Sequence, residues 1–375
     1  MKTIHFILGI HNHQPVGNFD HVFEDAYRKS YLPFLEVLER HPQIRLMYHT
    51  TGPLLDWLEL HHPDFLDRVR SLVESNQMEV MTGGYYEPIL AVIPDRDKAG
   101  QINKLTQYST QRFGMTPRGM WMAERIWEPH LARSLAECCV EFITLDDYHF
   151  HSAGMQPQDL LGYYRTDEQG RGIAVFPISI DLRYLIPFKE PEKTIAYLQS
   201  RADDKGSNLL VMADDGEKFG LWPGTYEWVH KKGWLERFFN QLEAAMAAGW
   251  LKMTTGSEFL DSYPPRGRVF LPCASYFEMS TWSLPAKSGA VLDEIIHRYE
   301  NENRLDELRP YLKGGFWRNF LTKYDESNYM YRKMLWVSEQ IAELEASLPA
   351  NKRKQRATLE AARVCLYKAQ CNCAY

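Results

Sequence analysis

Short apolar runs alternate with amphipathic stretches along the first two thirds of the chain. The runs are continuous rather than alternating, as is typical of parallel strands buried on both faces; they lie at residues 3–10, 44–49, 78–82, 119–122, 142–145, 173–177, 209–213 and 251–254. Between most of them, apolar residues recur three and four positions apart, as in helices; examples are residues 23–40, 54–74, 97–112 and 192–201. This order of strand and helix predicts an α/β fold with a parallel sheet, closed or open.

The pattern changes after Pro264, where helix-like stretches follow one another without strands. These stretches are residues 284–300, 304–312, 328–347 and 351–371. We see no internal repeat and no low-complexity linker. The sequence therefore predicts an α/β region over residues 1–264 and a helical region over residues 265–375 that packs on it.

Composition and charge narrow the class of protein. Lys and Arg number 43 against 49 Asp and Glu, a net charge of −6, which disfavours a nucleic acid partner and suits a neutral substrate. The first apolar run is short and interrupted by His5, unlike a secretion signal, and no run approaches the roughly 20 apolar residues of a membrane helix. The six cysteines are not spaced as a disulfide framework. We predict a cytoplasmic protein without a membrane partner.

Two apolar runs end in carboxylates with tryptophan nearby, at residues 121–128 and 209–222. Barrel enzymes place catalytic groups at strand ends, and glycosidases typically use two carboxyl groups on opposite sides of the scissile bond. Glu124 adjoins Arg125, which would keep its carboxylate ionised, as a nucleophile requires. Asp214, Asp215 and Glu217 are crowded, and mutual repulsion together with burial would raise the pKa of at least one, as a general acid requires. A structural ion pair, a metal site or a solvated acidic turn remain alternatives.

Further candidates follow other strands. His11 and His13 would point the same way from a strand; they would bind sugar hydroxyls, hold zinc together with a carboxylate, or satisfy loop backbone. Glu87 follows two glycines that let the chain turn sharply, which would direct its side chain into the mouth of the barrel. The alternative is an ordinary solvated glutamate in a loop. The aromatic candidates for sugar-binding positions, each of which could equally belong to a core, are Trp121, Tyr148, Trp222, Tyr276 and Trp282.

Six sequence motifs, taken in order along the chain, indicate the family that the chain resembles. They read HNHQP at 11–15, GYYEP at 84–88, WMAERIWE at 121–128, LDDYHF at 145–150, DDGEKFG at 214–220 and ASYFEM at 274–279. The chain resembles glycoside hydrolase family 57, and within it the group of 4-α-glucanotransferases and α-amylases. The resemblance extends from the first predicted strand to the last residue.

The resemblance implies an incomplete (β/α)7 barrel followed by helices, and retaining chemistry on α-1,4-glucans through a covalent glucosyl-enzyme. It would make Glu124 the nucleophile and Asp215 the general acid/base, with no metal and no cofactor. The implied substrate-binding or supporting residues are His11, His13, Glu87, Trp121, Tyr148, Glu217, Trp222 and Tyr276.

Similar family members continue beyond the final Cys-Asn-x-x-Tyr motif, residues 371–375 here, into a β-rich region, which we expect this chain to lack. They often carry Asp where Cys373 stands and Glu where Thr281 stands.

We therefore predict a 4-α-glucanotransferase acting on maltooligosaccharides, with an α-amylase as the alternative and a branching activity as a third outcome of the same chemistry. Two alternatives from other classes stay open. One is a zinc-dependent sugar hydrolase or deacetylase using His11, His13 and an Asp, and the other is a non-catalytic glucan-binding fragment. A homodimer is compatible with the sequence.

Overall fold

Parallel strands build the centre of the protein. The computed structural model describes residues 2–349 and 351–375, and within them nine strands form one sheet. The strands are β1 (Ile4–Asn12), β2 (Leu46–Thr50), β3 (Met78–Val80), β4 (Gly119–Met120), β5 (Phe142–Asp146), β6 (Tyr164–Glu168), β7 (Arg171–Ile178), β8 (Leu209–Asp215) and β9 (Leu251–Met253).

Seven of these strands curl into a nearly closed barrel. Their order is β3-β2-β1-β8-β7-β5-β4, with parallel pairing throughout. A single parallel bridge between Thr82 and Met120 joins the two ends of this order. Strands β7 and β8 also pair at just one position, Ile178 with Val211. The barrel is therefore held by a single paired position at two of its strand–strand junctions. The predicted incomplete (β/α)7 barrel with a helical C-terminal region is confirmed.

Helices surround the barrel and then form the C-terminal region. The first eleven are α1 (Asp20–Ala26), α2 (Leu32–Arg40), α3 (Gly52–His61), α4 (Pro63–Glu74), α5 (Asp95–Phe113), α6 (Leu131–Glu137), α7 (Asp147–His151), α8 (Ile180–Leu185), α9 (Pro191–Ser200), α10 (Trp234–Ala247) and α11 (Gly256–Ser262). They are followed by α12 (Met279–Trp282), α13 (Ala286–Asn301), α14 (Leu305–Leu308), α15 (Phe320–Lys323), α16 (Asp325–Ser347) and α17 (Arg353–Ala369). Among the described residues, no helix is both long enough and apolar enough to cross a bilayer.

Several predicted boundaries differ from the structure for local reasons. The helix predicted over residues 54–74 is two helices, because Pro63 disfavours helical backbone at His62 and begins α4 instead. The helix predicted over residues 304–312 is shorter, since α14 ends at Leu308 and a 3₁₀ turn, Arg309–Tyr311, follows it.

The pattern of apolar runs does not predict strand β6. It pairs antiparallel with β7 through a two-residue turn, Gln169 and Gly170, both with positive φ (50° and 77°). The strand carries charged residues, including Arg165 and Asp167, and is only partly buried. It therefore lacks the continuous apolar run by which the parallel strands were found.

The helical region packs on the barrel in part through α5. Ser338 on α16 donates a hydrogen bond to Asp97 (2.7 Å), and Gln370, after α17, donates another to the same carboxylate (2.7 Å). Both partners are buried. These shared bonds hold α16 and α17 against the barrel wall and fix the direction of the chain beyond Gln370.

Candidate active site

A cleft of about 590 Å³ opens at the carboxyl ends of the barrel strands. The residues that line it are His11, His13, Glu87, Trp121, Glu124, Arg125, Arg183, Tyr184, Phe188, Asp215, Glu217, Lys218, Trp222, Tyr276, Glu278, Trp282, Asn372 and Cys373. The sheet register brings several of these together, because His11 on β1 pairs with His49 on β2 and with Asp215 on β8. Parallel strands end at the same edge, so acids that follow different strands meet in this cleft.

Glu124 lies in a 3₁₀ turn, Ala123–Arg125, directly after β4. Its φ is +52° and that of Arg125 is +48°, a left-handed backbone that is costly for residues other than glycine. Tyr276 donates a hydrogen bond to its carboxylate (2.8 Å). Burial raises the pKa of Glu124, and Asp215 raises it further, whereas Arg125 and Tyr276 lower it.

This result corrects one expectation from the sequence. Arg125 does favour the ionised form of Glu124, but burial outweighs it and the net shift of the Glu124 pKa is upward. The guanidinium of Arg125 instead pairs with Asp146, 2.8 Å away, so the carboxylate of Glu124 is left facing the cleft.

Asp215 ends β8 and lines the cleft, while its neighbour Asp214 is buried on the other side of the strand. Adjacent residues of a strand point to opposite faces. The backbone N–H of Asp215 donates to the Asp214 carboxylate (3.0 Å), which ties the two orientations together. Glu124 and Asp215 both line the cleft, and the charge of Asp215 raises the pKa of Glu124.

A network of buried charges lies behind these two acids. Arg183 donates to Asp146 (2.7 Å) and to Asp214 (2.9 Å), and Lys218 also pairs with Asp214. Burial alone would raise the pKa of Asp214, but Lys218, Arg183 and Arg125 together hold it well below its usual range. With three cations and two anions, the network is a fixed positive support beside the cleft carboxylates.

Sequence reasoning missed the role of Arg183. It lies on α8, after the end of β7, in a segment without acidic or aromatic clustering. Its position on the helix that directly follows β7 is the feature of the sequence that could have indicated this role.

Glu217 follows Asp215 and turns toward the β1 end of the cleft. It accepts a hydrogen bond from the backbone N–H of His13 (2.9 Å) and another from the hydroxyl of Tyr31. Its pKa is raised by burial and by Asp215. The sequence predicts that burial and mutual repulsion raise the pKa of at least one acid in this block, and the pKa of Glu217 is raised by both, with burial the larger cause.

His11 and His13 both contact Glu87. The carboxylate lies 2.9 Å from His11 Nε2 and also pairs with His13 Nδ1. Burial would lower the pKa of His13, but Glu87 raises it to about 9. In turn, burial would raise the pKa of Glu87, and His13 and His11 hold it well below its usual range. We therefore assign a charged His13–Glu87 pair, with Glu87 held in left-handed backbone (φ +52°).

His11, His13 and Glu87 also have the spacing of a metal site, since their donor atoms lie within 4.8 Å of one another. The zinc alternative called for an Asp as third ligand, and the structure brings Glu87 instead. These donors already contact one another, and His13 and Glu87 form a charged pair.

We expect the purified protein to retain no stoichiometric zinc, because binding it would require breaking the His13–Glu87 pair. Elemental analysis after dialysis with and without EDTA measures this. One zinc per chain, lost together with the protein's heat stability on chelation, would contradict the assignment.

Aromatic side chains occupy two levels of the cleft. Trp121 is 4% exposed and stacks on His11 with 4.4 Å between ring centroids, while Trp222 is 40% exposed and stacks with Phe188 at 5.7 Å. Trp282 is 55% exposed. The buried base of the cleft, which we call its floor, thus carries the carboxylates. The exposed edge, which we call its rim, presents flat apolar faces to solvent.

Tyr148 lies outside this cleft. It is buried, its hydroxyl donates to the carbonyl of Leu312 (2.7 Å), and its ring packs edge-on against Phe277. The residue therefore anchors the helical region to the barrel. By contrast, the other residues predicted to bind substrate all line the cleft.

The rim also contains residues that sequence reasoning did not single out. The hydroxyl of Tyr184 donates to Glu278, linking the segment after β7 to the helical region. Phe188 faces the same space. Neither belongs to a motif or follows a strand directly, so the linear sequence gave no indication of them.

Comparison with known families agrees with this geometry. The model described as "Glycosyl hydrolase family 57" matches residues 7–272, and that described as "Alpha-amylase/4-alpha-glucanotransferase, middle domain" matches residues 315–375.

Curated relatives match the chain along its whole length. A 4-alpha-glucanotransferase of Thermococcus litoralis is 46% identical over 375 residues, covering 100% of this chain and 54% of the relative. Alpha-amylase 1 of Dictyoglomus thermophilum is 46% identical over 376 residues, covering 100% and 53% respectively. The chain thus spans about half the length of the curated relatives it matches.

Solved structures extend the comparison. The crystal structure of the 4-alpha-glucanotransferase from Thermococcus litoralis superposes with a TM-score of 0.92 at 46% identity, over 99% of this chain and 56% of that one. An alpha-amylase from Thermotoga maritima, 16% identical, covers 98% of this chain and 92% of that one with a TM-score of 0.59, which shows a shared fold.

Proposed function

Because the chain belongs to glycosyl hydrolase family 57, we propose that it transfers segments of α-1,4-glucans between maltooligosaccharides by a retaining mechanism, as a 4-α-glucanotransferase. The observation that carries this proposal is the pair of carboxyl groups, Glu124 and Asp215, which line one cleft with an aromatic rim. Retaining glycosidases need such a pair, one acid as nucleophile and one as acid/base.

In the first half of the proposed reaction, the Glu124 carboxylate attacks the anomeric carbon of the donor glucan. Asp215 gives its proton to the glycosidic oxygen as that bond breaks, which yields a glucosyl ester on Glu124 and a shortened glucan. Tyr276 and Arg125 support the carboxylate form of Glu124. His11, His13, Glu87 and Glu217 are proposed to bind sugar hydroxyls on the floor of the cleft.

In the second half, Asp215 accepts a proton from the incoming hydroxyl as that oxygen attacks the ester. A 4-hydroxyl of another glucan gives transfer, whereas water gives hydrolysis. The exposed rings of Trp222 and Trp282 support transfer, because they offer stacking surface to an acceptor sugar that would exclude water.

Incubation with maltotriose separates these outcomes. We expect a ladder of longer maltooligosaccharides together with glucose, because one glucan serves as donor and another as acceptor. Product separation by chromatography measures it. Glucose and maltose alone would identify an α-amylase, new 6-linked branches would identify a branching enzyme, and unchanged maltotriose would indicate a non-catalytic glucan-binding protein.

We also propose a cytoplasmic location, which the free state of all six cysteines supports.

A further inference from the structure

Two cysteines of the C-terminal region adjoin the floor of the cleft. Cys371 is buried, whereas Cys373 is exposed and lines the cleft together with Asn372. The 3₁₀ turn Asn372–Ala374, which follows α17, holds them in position. The mechanism proposed above uses neither thiol.

Backbone contacts join this segment to the loop that carries Glu87. The N–H of Asn372 donates to the carbonyl of Glu87 (3.0 Å), and Cys371 forms an antiparallel bridge with Pro88. The sulfur of Cys373 lies 3.3 Å from Nε2 of His13. A change in the position of Cys373 therefore acts directly on the His13–Glu87 pair.

The spacing of the two cysteines suits a disulfide. Residues two apart have Cα atoms separated by at most about 7 Å, and disulfides span about 4.4–6.8 Å. Cys373 is also the main cause that lowers the pKa of Cys371 to about 6. Both cysteines carry free thiols, and that of Cys373 is open to solvent.

We propose that Cys371 and Cys373 are a thiol modification site, which a small hydroperoxide oxidises to a disulfide that disables the adjoining cleft. The site would take hydrogen peroxide or a small alkyl hydroperoxide, since these reach a thiol at a cleft wall. The loss of glucan turnover rests on the proposed function, whereas the formation of the disulfide does not.

The oxidation proceeds in two balanced steps. First, the Cys373 sulfur attacks a peroxide oxygen while its proton passes to the Cys371 thiolate; the O–O bond breaks, hydroxide leaves and takes a proton from solvent, and Cys373 becomes a sulfenic acid. Second, Cys371 loses its proton to solvent and attacks the Cys373 sulfur; the S–S bond forms, and hydroxide leaves and is protonated. The two sulfurs lose two electrons together, and hydrogen peroxide becomes two waters.

The disulfide would draw the Cys373 sulfur toward Cys371 and away from His13. His13 would lose a contact beside its charged partner Glu87, and the floor of the cleft would shift. Since misplacement of about 1 Å can cost up to about 10²-fold in rate, we expect glucan turnover to fall at least about tenfold on oxidation and to return with dithiothreitol.

Peptide mapping of the full chain after peroxide treatment tests the modification without reference to activity. We expect the peptide that follows Lys368, which contains both cysteines, to lose the mass of two hydrogens and to resist alkylation until reduced. Two freely alkylated thiols, a bond from Cys373 to any other cysteine, or a sulfinic acid at Cys373 beside a free Cys371 would each overturn the proposal.

Variants separate this pair from oxidation elsewhere. Turnover of Cys373→Ser, compared with its own untreated sample, is expected to be insensitive to peroxide. Cys139→Ser, which removes an exposed cysteine outside the cleft, should respond like the parent chain. A disulfide that forms without loss of turnover would refute the effect on the cleft, and peroxide-sensitive turnover in Cys373→Ser would refute its assignment to this pair.

Discussion

Replacing Glu124 with glutamine is expected to reduce donor cleavage at least about 10⁴-fold, the scale seen when an enzyme loses its nucleophile. The amide keeps the size of the side chain and can still accept the hydrogen bond from Tyr276. It cannot form a glucosyl ester, so both half-reactions stop. Single-turnover measurements with a maltooligosaccharide donor, with mass spectrometry of the protein, would detect the missing intermediate.

Two comparisons make this test specific. Glu137→Gln makes the same chemical change at an exposed position on α6, where Glu137 pairs with Arg133, and it should leave turnover unchanged. A labelled glucosyl group trapped on any residue other than Glu124 of the parent chain would refute the assignment. Unchanged thermal unfolding of Glu124→Gln would exclude loss of the fold as the cause.

Asp215→Asn should be similarly severe on natural glucans, because the leaving oxygen receives no proton; losing a general acid typically costs about 10²–10⁴-fold. With a glucosyl fluoride donor the result should differ. Fluoride leaves without protonation, so the variant should form the ester on Glu124 and then stall, since no base activates the acceptor. Accumulation of the glucosyl-enzyme in Asp215→Asn, and its absence in Glu124→Gln, is the expected pattern.

The neighbouring aspartate provides the critical comparison. Asp214 is buried among Arg183 and Lys218, so Asp214→Asn should weaken the fold and leave no intermediate trapped. If Asp214→Asn accumulates the ester and Asp215→Asn does not, the acid/base has been assigned to the wrong residue. Asp204→Asn, at an exposed position, serves as the neutral control.

Much of the barrel could be predicted because its strands are buried on both faces and appear as apolar runs. The acids after β4 and β8 could be found for the same reason, since a polar group at the end of a buried strand is conspicuous. Strand β6 could not be predicted in this way, because it is polar and half-exposed at an edge of the sheet. A strand is recognised from sequence by the apolar residues that it buries. Tyr164–Glu168 is only partly buried, so it carries too few of them to be recognised.

Other features of the site depend on the folded chain. The pairing of Arg183 with both Asp146 and Asp214 arises from the register of three strands, which no local pattern encodes. The left-handed backbone of Glu87 and Glu124 was also hidden, because glycine usually marks such positions and these are carboxylates. The net pKa shift of Glu124 was misjudged since its burial cannot be read from the neighbouring arginine alone.

The contact between His13 and Cys373 spans 360 positions of the chain. A ribosome adding about 5–20 residues per second needs roughly 20–70 seconds to cover that interval. Throughout that time the barrel strands can emerge and pair while one wall of the cleft is still unsynthesised. A nascent chain would therefore hold Glu124 and Asp215 well before it holds a finished cleft, and the proposed binding of glucan would be delayed until translation reaches the Cys371–Cys373 segment.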